Sequence, residues 1–505
     1  MNYKKPLNIL LLEAAESGEG TLKRTLTSFN LVALGIGAII GAGLFSLTGL
    51  AAANNAGPAV TISFMIGALG CAFAGLCYAE FASMIPIAGS AYTYSYATMG
   101  EFMAWIIGWD LVLEYALGAA TVSISWSQYL IKFLHYFNLT IPPQLTMSPW
   151  ETITQADGTV LSGWLNLPAV FIIVCLSLLL IRGTQESAFI NNVLVILKVA
   201  VVLIFIVVGW QFINPLNHTP YIPENIGETK MINGEISFWQ YFSSDSFGTY
   251  GWSGILRGAG VVFFAFIGFD AVSTAAQEAK DPKIGMPIGI IGSLIICTIL
   301  YILFSHVMTG VANYTEFKNS AAPVAVAIAK TPYTWLQQAI IVAILAGYTS
   351  VMLVMLMGQS RVFFTMSKDG LLPKVFSNVH PKFKTPYKSN LLFAVFVSLF
   401  AAFVPVSIVG EMVSIGTLFA FILVCVGILV MRKTDPDSPR PFKAPWVPFT
   451  PIAGIVVCLA MMLSLPGDTW LRLAIWMVLG IIIYFVYGIK HSVVRKNALE
   501  GKNKL

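Results

Sequence analysis

Charged residues are scarce in this chain of 505 residues, at 10% of the total against 57% hydrophobic residues, and the mean hydropathy is +0.78. A soluble globular protein carries about 25% charged residues, so the composition excludes an ordinary soluble domain. The chain also lacks the alternating apolar and polar segments of about ten residues that form an outer-membrane β-barrel. Uncharged runs of about eighteen or more residues recur instead, and each is long enough to cross a membrane. The sequence therefore predicts an all-α polytopic membrane protein.

Other signals are missing as well. The first thirty residues carry charges throughout, without an uncharged core before a small-residue cleavage site, which predicts no cleaved signal peptide. No metal motif such as His-Glu-x-x-His and no intramembrane pair of nucleophile and base is found, so we expect neither an enzyme nor a metal or other cofactor. His306 is interpreted as a satisfied core residue. The cysteines are predicted to be buried small hydrophobes, and they are Cys71, Cys77, Cys175, Cys297, Cys425 and Cys458.

Hydropathy over a window of about 19 residues predicts the membrane spans. We place twelve of them, at 27–53, 59–84, 99–131, 162–182, 189–213, 253–277, 286–311, 334–360, 389–405, 409–431, 447–466 and 470–489.

Basic residues concentrate in one connecting segment, 361–388, which holds Arg361, Lys368, Lys374, Lys382, Lys384 and Lys388. In the long loop 214–252, Lys230 stands alone against Glu224, Glu228, Glu235 and Asp245. Because cytoplasmic loops carry the excess of lysine and arginine, both termini are predicted to be cytoplasmic.

The predicted organisation follows from the spans and their orientation. It comprises a cytoplasmic tail 1–26, spans 1 to 5 at 27–213, an extracytoplasmic loop 214–252, spans 6 to 10 at 253–431, a cytoplasmic loop 432–446, spans 11 and 12 at 447–489, and a cytoplasmic tail 490–505.

Two spans contain glycines that would interrupt a helix. Span 1 reads GIGAIIGAGLF at 35–45. Packing of small residues against a neighbour explains Gly37 and Gly41, but Gly41-Ala-Gly43 taken together indicates a break. Span 6 reads VVFFAFIGFDAVST, in which Gly268 precedes Phe269 and Asp270. Breaks five spans apart point to two inverted repeats, spans 1–5 and 6–10, with a binding site between the broken helices.

A broken helix exposes two kinds of backbone group. The half-helix after Gly41 would offer free amides and a positive dipole end to a carboxylate. The carbonyls freed before that break and at the span 6 break suit an ammonium or a cation. Together they fit the zwitterion of an amino acid, and Asp270 would stand beside this polar site and not in lipid.

Four further intramembrane charges need an explanation. Lys198 lies roughly 13 Å into span 5; it either snorkels or faces the interior, as a proton carrier or as a fixed cation in place of a sodium ion. Asp110 and Glu114 lie one helical turn apart on span 3. They either pair structurally with a lysine or a tyrosine hydroxyl, or line the substrate path and attract a cationic side chain. Glu80, near the cytoplasmic end of span 2, is interpreted as one member of a gating or structural pair.

Three motifs resemble the amino acid, polyamine and organocation (APC) transporter superfamily, above all its cationic amino acid transporter branch and the related bacterial permeases. They are GIGAIIGAGLF, FFAFIGFDAVSTAAQEAKDPKIGMPIGI at 263–290 and RVFFTMSKDGLLPKVF at 361–376. The resemblance implies a five-plus-five inverted-repeat (LeuT-like) core of about twelve transmembrane helices, with two trailing helices and alternating access that is usually driven by protons.

The resemblance also implies roles for single residues. The amides of Ala42 and Gly43, beside Gly41, would hold the substrate carboxylate. The carbonyls of Ile39, Phe264 and Ile267, beside Gly268, would hold its amine, and Phe264 would act as a gate. Lys198 would replace a sodium site, and Asp270 would lie near the central cavity with Glu114 and Asp110.

The sequence thus predicts a secondary active, proton-coupled amino acid permease for cationic or neutral substrates. Its partners would be the amino acid, protons and the lipid bilayer, with no nucleic acid, and two trailing spans favour a bacterial inner-membrane protein. An amino acid exchanger and a polyamine transporter stay open, as do, from another class, a transporter-like nutrient sensor and a channel. The sequence leaves open which amino acid is carried, the oligomeric state and any small membrane subunit.

Overall fold

A computed structural model of the chain describes residues 3–6, 10, 26–85, 87, 89–154, 160–182, 188–226, 247–276, 279–318, 320, 322–383 and 385–500. Most of the predicted N-terminal tail lies outside these residues. So do Glu228, Lys230, Glu235 and Asp245 of the long loop, and Lys384.

The first half of the chain forms helices α1 to α8. Their bounds are α1 Ser28–Ile39, α2 Thr48–Ala51, α3 Val60–Met84, α4 Ser90–Thr98, α5 Glu101–Val112, α6 Gly118–His135, α7 Leu167–Arg182 and α8 Ala188–Trp210. A π-helical turn, Gly43–Leu47, precedes α2, and another, Leu113–Leu117, joins α5 to α6. A short antiparallel hairpin, β1 Thr152–Thr154 and β2 Val160–Ser162, stands between α6 and α7.

The second half forms helices α9 to α19. Their bounds are α9 Gly251–Val262, α10 Ala271–Thr274, α11 Pro282–Val311, α12 Pro323–Ile328, α13 Thr334–Lys368, α14 Tyr387–Phe403, α15 Val406–Thr434, α16 Phe449–Ser464, α17 Gly467–Ile483, α18 Ile489–His491 and α19 Val493–Leu499. Short 3₁₀ turns at Phe263–Phe266, Pro215–His218 and Lys374–Ser377 connect some of them.

The structure supports a protein that crosses a membrane many times. Among the described residues, eight helical segments are long and apolar enough to span it: Ser28–Met84, Glu101–His135, Asn192–Trp210, Gly251–Thr274, Pro282–Val311, Trp335–Lys368, Val406–Thr434 and Gly467–His491. The first of these covers two predicted spans. Shorter apolar helices are Leu167–Arg182, Tyr387–Phe403 and Phe449–Ser464.

The long helices pack in two groups. In the first group, α11 packs along α3 and α1, and α9 packs on α3. In the second, α13 packs on α6 and α14 packs on α7. Lys198 and the breaks in spans 1 and 6 lie where these groups meet, because α13 also contacts α1 and α8.

Residues 3–6 and the C-terminal helix α19 lie at one end of the bundle, here called the terminal face. The Lys5 ammonium pairs with Asp369 at the end of α13 at 2.9 Å, and both side chains are buried. Tyr92 donates to the other oxygen of Asp369 at 2.7 Å, and the amide of Val493 donates to its carbonyl. The Arg495 guanidinium lies over the Tyr3 ring at 4.6 Å.

Glu80 ties the loop between α15 and α16 to α3 at this end. Its carboxylate accepts two hydrogen bonds from Arg432, at 2.9 and 2.8 Å, and one from the amide of Ala444 at 2.8 Å. Arg440 pairs with the same carboxylate at 3.2 Å. Glu80 therefore forms a buried ion pair, as both of the roles considered for it require.

Two expectations differ from the structure. Cys175 is exposed on the outside of α7, so the prediction of burial is wrong for it, although the other five cysteines are buried. A thiol on the lipid side of a span is no less apolar in its surroundings than one in the core. His306 is half-buried, and no hydrogen bond to its ring occurs among the described residues, so it is not the satisfied core residue expected.

Candidate functional site

The first break lies within span 1. Helix α1 ends at Ile39, Ile40 is extended with φ −71° and ψ 104°, and the amides of Leu44 and Phe45 both donate to the Gly41 carbonyl at 3.2 Å. The helix therefore restarts at Gly41. The first amides of a helix have no intrahelical acceptor, so the amides of Gly41, Ala42 and Gly43 stand in a position where amides can bind an anion.

The second break lies within span 6. A 3₁₀ turn ends at Phe266, and Ile267 is extended with ψ 135° and donates from its amide to the Phe264 carbonyl at 3.2 Å. Gly268 follows with φ +118°, a backbone conformation that residues with a side chain rarely adopt. A Cβ added to Gly268 would lie 2.9 Å from the backbone of Ala38. Asp270 directly precedes α10, where the helix restarts.

The two breaks touch each other. A Cβ on Gly43 would lie 2.2 Å from the Cα of Ala265, so only glycine allows this approach. The hydroxyl of Tyr301 on α11 lies 2.8 Å from the carbonyl of Ile39 and 2.8 Å from that of Ala265. Tyr301 thus binds both interrupted helices at once. Nothing in the sequence singled it out, since one tyrosine in an apolar span carries no glycine or charge signal.

The site is enclosed by protein. The residues predicted to bind substrate are all buried, namely Ile39, Gly41, Ala42, Gly43, Phe264, Ile267 and Gly268. A Cβ on Gly41 would lie 3.2 Å from the Val351 side chain of α13, and one on Gly118 of α6 would lie 2.9 Å from the Met355 sulfur. The apolar Val351 of α13 therefore faces the first break, and Met355 lies against span 3 at Gly118.

Lys198 is buried and bridges three helices. Its ammonium on α8 donates to the carbonyl of Gly37 on α1 at 2.6 Å, and a Cβ on Gly347 of α13 would lie 3.2 Å from its Cε. In an unbroken helix the Gly37 carbonyl would accept from the amide of Gly41. The break frees this carbonyl, and a cation at a helix C-terminus is favoured by the dipole.

Three acids are buried beside the second break and along span 3: Asp110, Glu114 and Asp270. Tyr115 donates to one oxygen of Asp270 at 2.5 Å. Within the described part of the chain, the other oxygen of Asp270 and both oxygens of Glu114 and of Asp110 have no hydrogen-bond partner. Lys198 contacts the Gly37 carbonyl and forms no ion pair with any of them.

Further unpartnered polar groups surround these acids. The hydroxyls of Ser273, which follows Asp270 on α10, and of Thr417 on α15 are buried without a partner in the described structure. A Cβ on Gly416 would lie 3.1 Å from an Asp110 oxygen, so α15 packs directly on this part of span 3. A buried carboxylate without a partner is very costly, and a proton or a bound cation would remove that cost.

No metal cluster accompanies them: the described residues contain no group of three or more histidine, cysteine, aspartate or glutamate side chains placed to hold a metal ion.

Comparison with known proteins relates the whole membrane region to one family. The amino acid permease family matches residues 26–487. The branched-chain amino acid permease BcaP of Bacillus subtilis (strain 168) is 45% identical over 97% of this chain and 98% of its own length. The methylthioribose transporter of the same organism is 41% identical over 98% and 99% of the two chains. A vacuolar cationic amino acid transporter 4 of Arabidopsis thaliana is 34% identical over 83% of this chain and 65% of its own length.

Proposed function

The chain belongs to the amino acid permease family, and we propose that it imports a neutral, branched-chain amino acid together with a proton by alternating access. The observation that carries this proposal is the contact of two broken helices, which puts free amides and freed carbonyls within one enclosed site. Amides of Gly41, Ala42 and Gly43 hold the substrate carboxylate. Carbonyls of Ile39, Phe264 and Ile267 hold its amine, since a carbonyl that accepts one hydrogen bond has a second lone pair.

The choice of a branched-chain substrate rests on the residues around the breaks. Val351 faces the first break from α13, Phe264 and Ile267 lie at the second break in span 6, and all three side chains are apolar. Relatives named for branched-chain transport, 45% and 34% identical, favour the same choice. Glu114, one turn below Gly118, is the group that would instead attract a cationic side chain.

Proton coupling is assigned to Lys198 and to the acids Asp270, Glu114 and Asp110. The Lys198 ammonium satisfies the freed carbonyl of Gly37, a role that a bound sodium ion would otherwise fill. Asp110 and Glu114 take up protons because a buried carboxylate without a hydrogen-bond partner in the described structure is costly as an anion. Asp270, which accepts one hydrogen bond from Tyr115, takes part beside them.

The fold proposed is a five-plus-five inverted repeat within twelve spans, with both termini in the cytoplasm of a bacterial cell. Packing supports it, because the pairs α3 with α11, α6 with α13 and α7 with α14 each join a span to the one five places later. The meeting of both termini at the terminal face supports an even number of crossings.

Uptake into proteoliposomes tests the substrate. Labelled leucine, alanine, arginine and methylthioribose would be offered in parallel under an inward proton gradient. We expect accumulation of leucine that is blocked by cold isoleucine and abolished by a protonophore. Accumulation of arginine blocked by lysine would refute the branched-chain assignment and make Glu114 a specificity residue, and Glu114→Gln would then lose arginine uptake selectively.

A variant at Lys198 tests the coupling. Lys198→Ala should lose accumulation driven by the proton gradient and keep leucine counterflow, which needs no net proton movement. Lys330→Ala is the matched control, because Lys330 is exposed and pairs with Glu316 far from the breaks. If Lys198→Ala still accumulated leucine fully under the proton gradient, Lys198 would have no part in the coupling. If the unmodified protein showed leucine counterflow without any response to pH, the protein would be an exchanger.

A further inference from the structure

The loop between α13 and α14 concentrates basic residues at the terminal face. It belongs to the segment 361–388, in which six lysine and arginine residues stand against Asp369 alone. Asp369 is already paired with Lys5, so this segment holds no further acid for its basic residues. The last part of the segment, described at 380–383 and 385–388, is here called the basic loop. Positive charge at a membrane surface attracts anionic lipid headgroups.

The basic loop is fixed on the end of α7. The hydroxyl of Thr385 donates to the carbonyl of Ile181 at 2.8 Å. The carbonyl of Thr385 in turn accepts from the amides of His380 and Tyr387, at 2.8 and 2.9 Å. Arg182, the last residue of α7, follows Ile181 and is exposed. The loop and the end of α7 therefore present their basic groups at one place.

The backbone of the basic loop determines which nitrogen of His380 carries a hydrogen. Nδ1 of His380 accepts from the amides of Lys382 and Phe383, both at 3.1 Å. Because a backbone amide can only donate, Nδ1 carries no hydrogen and the ring hydrogen is on Nε2. Among the described residues, this Nε2 has no hydrogen-bond partner. His380 therefore offers one N–H donor whose position is fixed by the loop.

Two ammonium groups accompany this imidazole. The His380 ring contacts the rings of Phe383 and Tyr387, with centroids 4.6 and 5.3 Å away. The Lys382 ammonium lies over the Phe383 ring at 5.7 Å, and the Lys388 ammonium lies over the Tyr387 ring at 5.9 Å. Aromatic faces favour a cation in this position. Each ammonium is thus one ring away from the imidazole, and the three groups form one cluster of donors.

An exposed apolar face begins directly beyond this cluster. Leu391, Leu392 and Val395 follow Lys388 by three, four and seven residues, so they lie on the same face of α14, and all three are exposed. Helix α7 packs on α14 and exposes Leu178, one turn before its own end. Positive charge at the ends of two helices and an apolar face along them match the headgroup and the acyl chains of a lipid.

We propose that the basic loop binds the phosphate of an anionic phospholipid whose acyl chains lie along the exposed faces of α7 and α14. Nε2 of His380 and the ammoniums of Lys382 and Lys388 donate to the phosphate, since hydrogen bonds from charged donors to phosphate are strong. Arg182 adds a positive charge, and α14, which begins at Tyr387 without a side-chain cap, adds its positive dipole end. A zwitterionic lipid binds less well because the cluster repels the cation of its headgroup.

Native mass spectrometry of the purified full chain in detergent tests the proposal. Dioleoyl-phosphatidylglycerol and dioleoyl-phosphatidylcholine, which share their acyl chains, would be titrated in parallel. The unmodified chain should bind phosphatidylglycerol at least about tenfold more tightly than phosphatidylcholine. The double variant Lys382→Gln, Lys388→Gln should bind phosphatidylglycerol about 25-fold more weakly, about fivefold for each lysine, and should bind phosphatidylcholine as before.

The double variant Lys433→Gln, Lys496→Gln is the matched control, because it removes the same charge from two exposed lysines of the terminal face that lie outside the cluster. It should bind phosphatidylglycerol as the unmodified chain does. An equal loss in the two double variants would overturn the proposal, since the attraction would then belong to the whole basic face.

Two further results would contradict the proposal without depending on any variant. One is equal binding of both lipids by the unmodified chain. The other is displacement of phosphatidylglycerol by inorganic phosphate at the same concentration, which would identify a site for phosphate alone. The measurement needs no transport substrate, so its failure leaves the proposed function untouched.

Discussion

Replacing Tyr301 by phenylalanine removes one oxygen from the contact between the two broken helices. That hydroxyl lies 2.8 Å from each of two carbonyls, and Tyr301 is fully buried. The single hydrogen of the hydroxyl is shared between two acceptors. The variant therefore loses one shared hydrogen bond, and two buried carbonyls are left without this donor. A lost buried donor costs about 1–3 kcal/mol, and we expect Tyr301→Phe to lower the free energy of unfolding by about 2 kcal/mol.

The proposed substrate position makes the prediction more specific. If the substrate ammonium binds the Ile39 carbonyl, it supplies in Tyr301→Phe the donor that the hydroxyl no longer provides. Substrate should therefore raise the unfolding temperature more in this variant than in the unmodified protein, while the uptake rate falls by about tenfold, the equivalent of 1.4 kcal/mol. The assay is thermal unfolding with and without saturating leucine, beside initial uptake rates in proteoliposomes.

Tyr94→Phe provides the control for stability, because the Tyr94 hydroxyl is buried without a hydrogen-bond partner among the described residues. It should change the free energy of unfolding by clearly less than Tyr301→Phe. Equal losses in the two variants would refute the argument from the shared hydrogen bond. A smaller substrate-induced stabilisation in Tyr301→Phe would instead place the ammonium away from the Ile39 carbonyl.

Three further variants test contacts that the structure makes explicit. Glu80→Gln breaks a buried charge pair and should cost about 3 kcal/mol in thermal unfolding; an unchanged midpoint would contradict this. Gly43→Ala forces a Cβ to within 2.2 Å of Ala265 and should abolish uptake, whereas Gly410→Ala, whose Cβ would have its nearest neighbour at 3.6 Å, should transport normally. Lys5→Gln breaks the ion pair at the end of α13, so amide hydrogen exchange of residues 3–5 should accelerate, and equal rates would show that this ion pair does not hold the N-terminal segment in place.

The breaks in spans 1 and 6 were predictable because each of them requires a glycine, and a glycine within an apolar span can be recognised in the sequence. Gly268 has φ +118°, and Gly43 lies against the backbone of Ala265. Each of these demands a residue without a side chain, and glycine in an apolar span is costly enough to need a reason. A backbone feature that requires glycine can therefore be predicted from a single sequence.

Partners could not be predicted, because they depend on which helices meet. The sequence of span 3 is enough to place Asp110 and Glu114 in the membrane, but it left their partners open. In the structure the hydroxyl of Tyr115 donates to Asp270 and not to either of them. Helix α4 was missed for a related reason. Its sequence, SAYTYSYAT, is too polar for a span, yet its tyrosines are buried among neighbouring helices, a tertiary effect that hydropathy does not contain.

Lys198 and the first break depend on each other, and this dependence gives the proposed coupling a physical basis. The carbonyl of Gly37 is available to Lys198 only while the helix is broken at Ile40, and the same break exposes the amides proposed to bind the carboxylate. A charged lysine stabilises the C-terminal end of α1 more than a neutral amine does. Protonation therefore favours the broken conformation that binds substrate, and by linkage bound substrate must favour the proton to the same extent. A continuous helix through Ile40 would lose both sites together.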